Sequence, residues 1–191
     1  MTLGIGVQLP NSVLLYADSR VGHPYGPSEA YEKVFSAHGV TWLFAGDVSI
    51  VQHFYTVKCR AYKQGENFPA WFHRHMAPVW QAKLSIYYEN SHQTAQDCEC
   101  LAVASGHLWE LSSGMCFLVP TKGYACIGSG AQYAYGAMAY HRQQGGDWDD
   151  FDWLQLVCKA VADIDTAVGP PFCAYKIAQN NRKELVWASK S

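Results

Sequence analysis

The strongest constraint in this chain lies in its first nineteen residues. Apolar and polar residues alternate over residues 2–9 and again over 12–19, with Pro10-Asn11 between the two runs. A period of two marks strands that bury one face, and Pro-Asn between such strands marks their turn. The segment therefore reads as a β-hairpin. A two-residue loop fixes the register: Leu9 faces Ser12, so positions summing to 21 lie opposite one another. Thr2 then stands opposite Ser19 and Leu3 opposite Asp18, which places a carboxylate beside the start of the chain.

A loop rich in Gly and Pro over residues 22–28 leads to a second hairpin, with strands at 31–37 and 40–45 and His38-Gly39 as its turn. Tyr31, Lys33 and Phe35 share one face by the strand period. Pairing across the turn sets Lys33 opposite Phe44 and brings Gly46 close to Tyr31. This hairpin gathers a lysine and a glycine at one end.

Helical spacing then runs over residues 47–64 and 67–92, with Asp47 and Asn67 as N-caps. Short strands are expected at 98–104, 107–111 and 124–127, broken at Ser105-Gly106 and Ser113-Gly114. A helix over 130–144 follows, and another begins near Asp149, where Asp147, Asp149, Asp150 and Asp152 complement the helix dipole. Strands at 172–178 and 184–188 close the chain across a polar turn at 179–182. Hairpins alternating with helix pairs imply two packed sheets with helices outside, an α+β fold built as a four-layer αββα sandwich. With no repeat, low-complexity stretch or composition break, residues 1–191 read as a single domain.

Composition removes several functions. Net charge is −2 and charged residues make up 16% of the chain, so neither a phosphate-tracking nucleic-acid surface nor a polybasic membrane contact is expected. The opening residues carry no basic n-region before an apolar run, and no stretch approaches the roughly 18 apolar residues of a membrane span. The seven cysteines are odd in number and scattered, which suits reduced thiols in a cytoplasmic protein better than a disulfide framework. Cys98 and Cys100 share a strand face but lack a second ligand pair at metal spacing, and His73 and His75 point apart on their helix. Both pairs read as packing or surface residues. Trp148, Trp153 and the Tyr87-Tyr88 pair read as core or interface aromatics.

Taken in order, Thr2-Leu-Gly-Ile-Gly, Tyr-Ala-Asp18-Ser-Arg, Glu-Lys33-Val-Phe, Phe-Ala-Gly46-Asp, Ile-Gly-Ser129-Gly-Ala-Gln-Tyr-Ala and Ala-Asp-Ile-Asp165-Thr-Ala-Val-Gly resemble the proteasome β-subunits and their bacterial relatives. The resemblance runs from Thr2 to about Ile177. Singly these motifs are weak; their order and spacing are specific. The resemblance implies a proteasome-type peptidase domain of the N-terminal-nucleophile hydrolase fold, in which Thr2 attacks peptide bonds once Met1 is removed. It implies that Asp18 and Lys33 support the threonine, that Ser129 and Asp165 complete the network, and that the Gly46 N–H stabilises the oxyanion. Val21, Tyr31, Phe35, Phe44 and Val48 match the wall of the specificity pocket, so apolar residues are expected before the scissile bond. Two positions depart from the pattern: Leu3 stands where many relatives carry a small residue, and Val168 where β-subunits often carry a serine.

The same resemblance implies peptides or unfolded proteins as substrates, identical subunits in stacked rings, and an ATP-dependent unfoldase where one exists. No cofactor is required for the hydrolysis; in some relatives backbone carbonyls near residues 162–168 hold a structural cation. Three other functions compete. A silent ring subunit would have little reason to keep Thr2, Asp18 and Lys33 together. A non-peptidase amidase on the same fold is separated only by its substrates. A nucleotide-binding module would use Gly128-Ser-Gly130 after a strand, but the fingerprint's third glycine is missing and the preceding strands form hairpins.

Overall fold

The first hairpin forms in the register its turn dictates. In a computed structural model that describes residues 2–19, 32–46, 48–91, 98–111, 117–148 and 150–189, strand β1 (Gly4–Gln8) pairs with β2 (Ser12–Asp18), and Gly4 lies opposite Ala17. The side chains of residues 48–50, 53, 84 and 86–91 are also outside the description. The Leu9 amide closes the turn on the Ser12 carbonyl at 2.8 Å. The second hairpin pairs β3 (Val34–Ala37) with β4 (Val40–Gly46), and the Phe44 amide donates to the Lys33 carbonyl at 3.4 Å, the expected pairing.

Two five-stranded antiparallel sheets result. The first has the order β10 (Lys183–Ala188), β9 (Phe172–Ala178), β2, β1, β8 (Tyr124–Ile127). The second runs β3, β4, β5 (Cys98–Ala104), β6 (His107–Leu111), β7 (Phe117–Leu118). Strand alternation splits their apolar residues into three cores. Val13, Leu15, Val34, Leu43, Leu101, Val103, Ala125 and Ile127 interdigitate between the sheets. The opposite face of the first sheet buries Leu3, Ile5, Leu14 and Tyr16 under helices α4 (Ala131–Gln143) and α5 (Phe151–Ile164). The opposite face of the second buries Trp42 and Phe44 under α1 (Val48–Tyr55), α2 (Phe68–Trp71), a π-helical turn (Phe72–Met76) and α3 (Ala77–Ser91). The layers are helix, sheet, sheet, helix, as the order of elements implied.

Three features differ from expectation. Helical spacing extends to residue 64, yet α1 ends at Tyr55. The following segment docks instead of coiling. The Tyr62 amide donates to the His38 carbonyl at 2.7 Å, the Trp71 indole donates to the Arg60 carbonyl at 3.0 Å, and the Tyr62 ring meets Phe68 and Trp71 edge-on. Tertiary partners supply what an isolated helix would have supplied itself. Gly39 permits that docking: at φ +78° it presses so close that a Cβ would sit 2.5 Å from the Tyr62 carbonyl oxygen. The second departure is the π-helical turn, which interrupts the expected helix over 67–92 and holds His73 and His75. The third is β7, only two residues long and too short to show alternation. Asn67 caps α2 as expected, accepting from the Ala70 amide at 2.9 Å, but α5 is capped by Asp150. The loop at 22–28, Asp47, Ser113-Gly114 and Asp149 lie outside the described residues.

Candidate active site

The hairpin register puts Asp18 at the end of β2, where it is fully buried. Its Oδ1 accepts two hydrogen bonds: from the Leu3 amide at 2.9 Å and from the Lys33 ammonium at 2.8 Å. The Asp18 amide returns a bond to the Leu3 carbonyl at 3.1 Å. One carboxylate oxygen thus joins the residue after Thr2 to the lysine that precedes β3. Charge-assisted bonds of this kind are among the strong ones, and the pair is shielded from solvent, with the two side chains 6% and 0% exposed. Burial pushes the Lys33 ammonium below its ordinary value and the Asp18 carboxyl above its own, and in each case the partner's charge opposes the shift.

Thr2 itself is buried. Its carbonyl is gripped by the loop between β8 and α4, since the Gly130 amide donates to it at 3.4 Å. Gly128 holds φ +90°, and a Cβ there would stand 2.0 Å from the Thr2 carbonyl oxygen, so only glycine lets the loop approach. Between the two glycines, the Ser129 hydroxyl is buried and carries no hydrogen bond among the described residues. Leaving a buried hydroxyl uncommitted costs about 1–3 kcal/mol, so its place here calls for a reason.

The other expected residues take different places. Asp165 caps the C-terminus of α5 and accepts from the Ala167 amide at 3.0 Å through its carboxylate, which shapes a turn. That turn delivers Val168, whose amide donates to the Asp165 carbonyl at 2.9 Å. Val168 and Leu3 crowd the same glycine: a Cβ at Gly130 would meet Val168 Cγ2 at 3.2 Å and Leu3 Cδ1 at 3.3 Å. The two departures from the motif pattern are therefore apolar packing beneath the loop. Gly46 ends β4, exposed, at φ +124°, a conformation that favours glycine. Phe35 and Phe44 stack at 5.7 Å with both rings buried in the helix-side core, which makes them core residues rather than an open pocket wall. Met1, Val21, Tyr31 and the Val48 side chain are outside the described residues.

A cavity of about 320 Å³ opens beside Lys33, lined by Ala17, Ser19, Glu32, Pro171, Cys173 and Tyr175. A larger one, about 630 Å³, lies against the outer face of α5, where Leu156, Lys159, Phe172 and Trp187 line it. It shares no lining residue with Thr2, Asp18, Lys33 or Ser129, so size is a poor guide here. One contact was not foreseen: the Glu99 carboxylate on β5 accepts from the Gly128 amide. Its only signal in the sequence is a carboxylate in strand register with the inward-facing Leu101 and Val103. Among the described residues no three His, Cys, Asp or Glu side chains group as a metal site, Cys98 and Cys100 included, and no helix is long and apolar enough to cross a membrane.

Two antiparallel sheets between helix layers make this the sandwich fold of the N-terminal-nucleophile hydrolases. No protein-family model matches the chain, and no curated protein matches it. Among solved structures, it is similar to BPH of Thiobacillus denitrificans in complex with epoxomicin (TM-score 0.71, 14% identity, 93% of this chain and 98% of that one). It is also similar to the helical assembly of the Anbu complex from Pseudomonas aeruginosa (0.75, 11%, 99% and 87%). A third similar structure is the Anbu (Gly-1) mutant from Hyphomicrobium sp. strain MC1 (0.69, 12%, 97% and 87%). At such identities the likeness is one of fold. It corrects the kinship drawn from the motifs: the structures this chain resembles are BPH and Anbu, which are proteasome-like but distinct from proteasome β-subunits. Short motifs do not separate the branches of one fold. The antiparallel pairing of β8 with β1 also removes the βαβ crossover that a dinucleotide site at Gly128 would need.

Proposed function

We propose that this protein is a threonine endopeptidase whose nucleophile is the Thr2 hydroxyl, freed for catalysis when Met1 is removed. The observation that carries the reading is Asp18 Oδ1, which accepts from both the Leu3 amide and the Lys33 ammonium and so ties a buried cation to the residue beside Thr2. A threonine hydroxyl needs a base, and a free α-amine has an ordinary pKa near 8, close enough to neutrality to serve. A neighbouring ammonium disfavours protonating that amine and so increases its basic fraction at neutral pH. The amine accepts the hydroxyl proton as Oγ1 attacks the peptide carbonyl, and passes it to the departing amine as the acyl-enzyme ester forms. Water, deprotonated by the same amine, then hydrolyses the ester and restores the hydroxyl. The Gly46 N–H is the proposed oxyanion donor, worth about 3–4 kcal/mol in the transition state. Ser129, with its uncommitted hydroxyl, is the proposed partner of the amine. Asp165 shapes the turn under this loop. Assembly from identical subunits is part of the reading, supported by the helical assembly that Anbu forms.

A peptide epoxyketone tests mechanism and processing together, because its warhead needs a hydroxyl and an adjacent free amine. Intact-mass and peptide mass spectrometry should find Met1 absent and one adduct at Thr2, and Thr2→Ala should abolish both labelling and casein hydrolysis. Active protein that retains Met1, or unchanged activity in Thr2→Ala, would sink the proposal.

A further inference from the structure

Glu99 sits on β5 in register with Leu101 and Val103, which face the space between the sheets. Yet its carboxylate accepts from the Gly128 amide, which follows β8 of the other sheet. It thereby ties the two sheets together at the end of the sandwich where Thr2 lies. Gly128 is also the residue that presses on the Thr2 carbonyl at φ +90°, while Gly130 donates to that carbonyl and Ser129 lies between them. The loop is also held from its own side: the Ala131 amide bonds the Gly128 carbonyl at 3.0 Å within the same turn, and Gly130 lies against Val161, Val168 and Leu3, whereas the Glu99 carboxylate reaches Gly128 from the other sheet. On the neighbouring strand the carboxyl of Glu110, which pairs with Leu101, is pushed up by burial and then by the negative charge of Glu99.

We propose that Glu99 is a positioning residue: by accepting the Gly128 N–H across the sheets it holds the Gly128–Gly130 loop against Thr2 and keeps the Ser129 hydroxyl beside it. Glu99 touches neither Thr2 nor substrate in this reading, which rests on the proposed threonine chemistry. What the loop needs from position 99 is an oxygen acceptor of the right reach, not a negative charge.

That distinction sets the test, made on the full-length protein with Glu99→Leu and Glu99→Gln. Leucine is tolerated on a strand but cannot accept, whereas the glutamine amide oxygen can. Glu99→Leu should lower kcat for a fluorogenic peptide on the order of 10²-fold. KM should stay within about twofold, and epoxyketone labelling of Thr2 should slow by the same factor as kcat. Glu99→Gln should restore most of the rate. Hydrogen exchange supplies a readout independent of activity: the Gly128 amide should exchange slowly in wild type and Glu99→Gln, and much faster in Glu99→Leu. If wild type neither cleaves peptides nor labels at Thr2, the threonine reading fails while the exchange arm still decides the contact. Unchanged Gly128 exchange in Glu99→Leu, or a glutamine variant as impaired as the leucine one, would overturn the proposal.

Discussion

Asp18 is completely buried and divides one carboxylate oxygen between the Leu3 amide and the Lys33 ammonium. Asp18→Asn leaves that ammonium without its counter-charge, and breaking a buried pair in this way costs about 3–5 kcal/mol. Asp18 is also the group that raises Lys33 against the effect of burial, so in the variant the lysine falls further below its ordinary 10.5. A depressed value means stability that is present at high pH and lost as pH falls through the folded-state pKa. Urea titrations should therefore show Asp18→Asn losing stability more steeply than wild type as pH falls from about 10 to about 7, and Asp18→Asn with Lys33→Met should recover much of the loss. A midpoint within experimental error of wild type would contradict the buried pair. Cys158 gives the opposite sign. Burial pushes its thiol from 9.0 up to about 12, so its contribution is intact below pH 9 and is lost as pH rises toward 12. Iodoacetamide at about pH 8 should leave Cys158 unlabelled in the native protein and label it in urea, as read by peptide mass spectrometry.

At the scale of elements, the loop from β8 into α4 and the helix itself hold two glycines with opposite expectations. Gly128→Ala would put a methyl 2.0 Å from the Thr2 carbonyl oxygen at φ +90°, and strain of this kind costs about 1–3 kcal/mol or more. Gly136, exposed in the middle of α4, has nothing within 4 Å of its would-be Cβ, so Gly136→Ala should stabilise by about 0.5–1 kcal/mol. Thermal melts of the two variants should move in opposite directions; a shift of the same sign would contradict the placement of the loop. In the second sheet, Trp42 meets Phe44, Phe54, Phe68, Phe72 and Phe117 and donates its indole N–H to the Ala37 carbonyl at 3.1 Å. Trp42→Ala should cost about 3–5 kcal/mol in chemical denaturation. A loss below 1 kcal/mol would mean that α1 and α2 do not close on that sheet as described. The boundaries of these elements show the limit of local pattern. Strands 98–104, 107–111 and 172–178 are legible to the residue because alternation and turn signals coincide. The end of α1 is not, because docking of Tyr62 and Trp71, rather than their periodicity, decides it.

Across the whole molecule, α5 turns Leu156 and Ile164 to the surface, 65% and 59% exposed, and Leu156 lines the large cavity together with Lys159. If the subunits assemble through this face, Leu156→Asp with Ile164→Asp should reduce the sedimentation coefficient without changing the circular dichroism spectrum. Sedimentation equal to wild type would assign assembly to another surface. The position of Asp18 beside Leu3 was countable from a two-residue turn, because hairpin register is a local property of the chain. The layered architecture followed from the order of hairpins and helix pairs, since each apolar face must be covered by another element. Three matters waited for the tertiary structure: that Lys33 shares the same Asp18 oxygen as Leu3, that Phe35 and Phe44 stack in the core, and that Glu99 reaches Gly128 on the opposite sheet. Each depends on how two sheets meet rather than on how one strand alternates. That meeting is set by the volumes packed between the sheets, which no local period records.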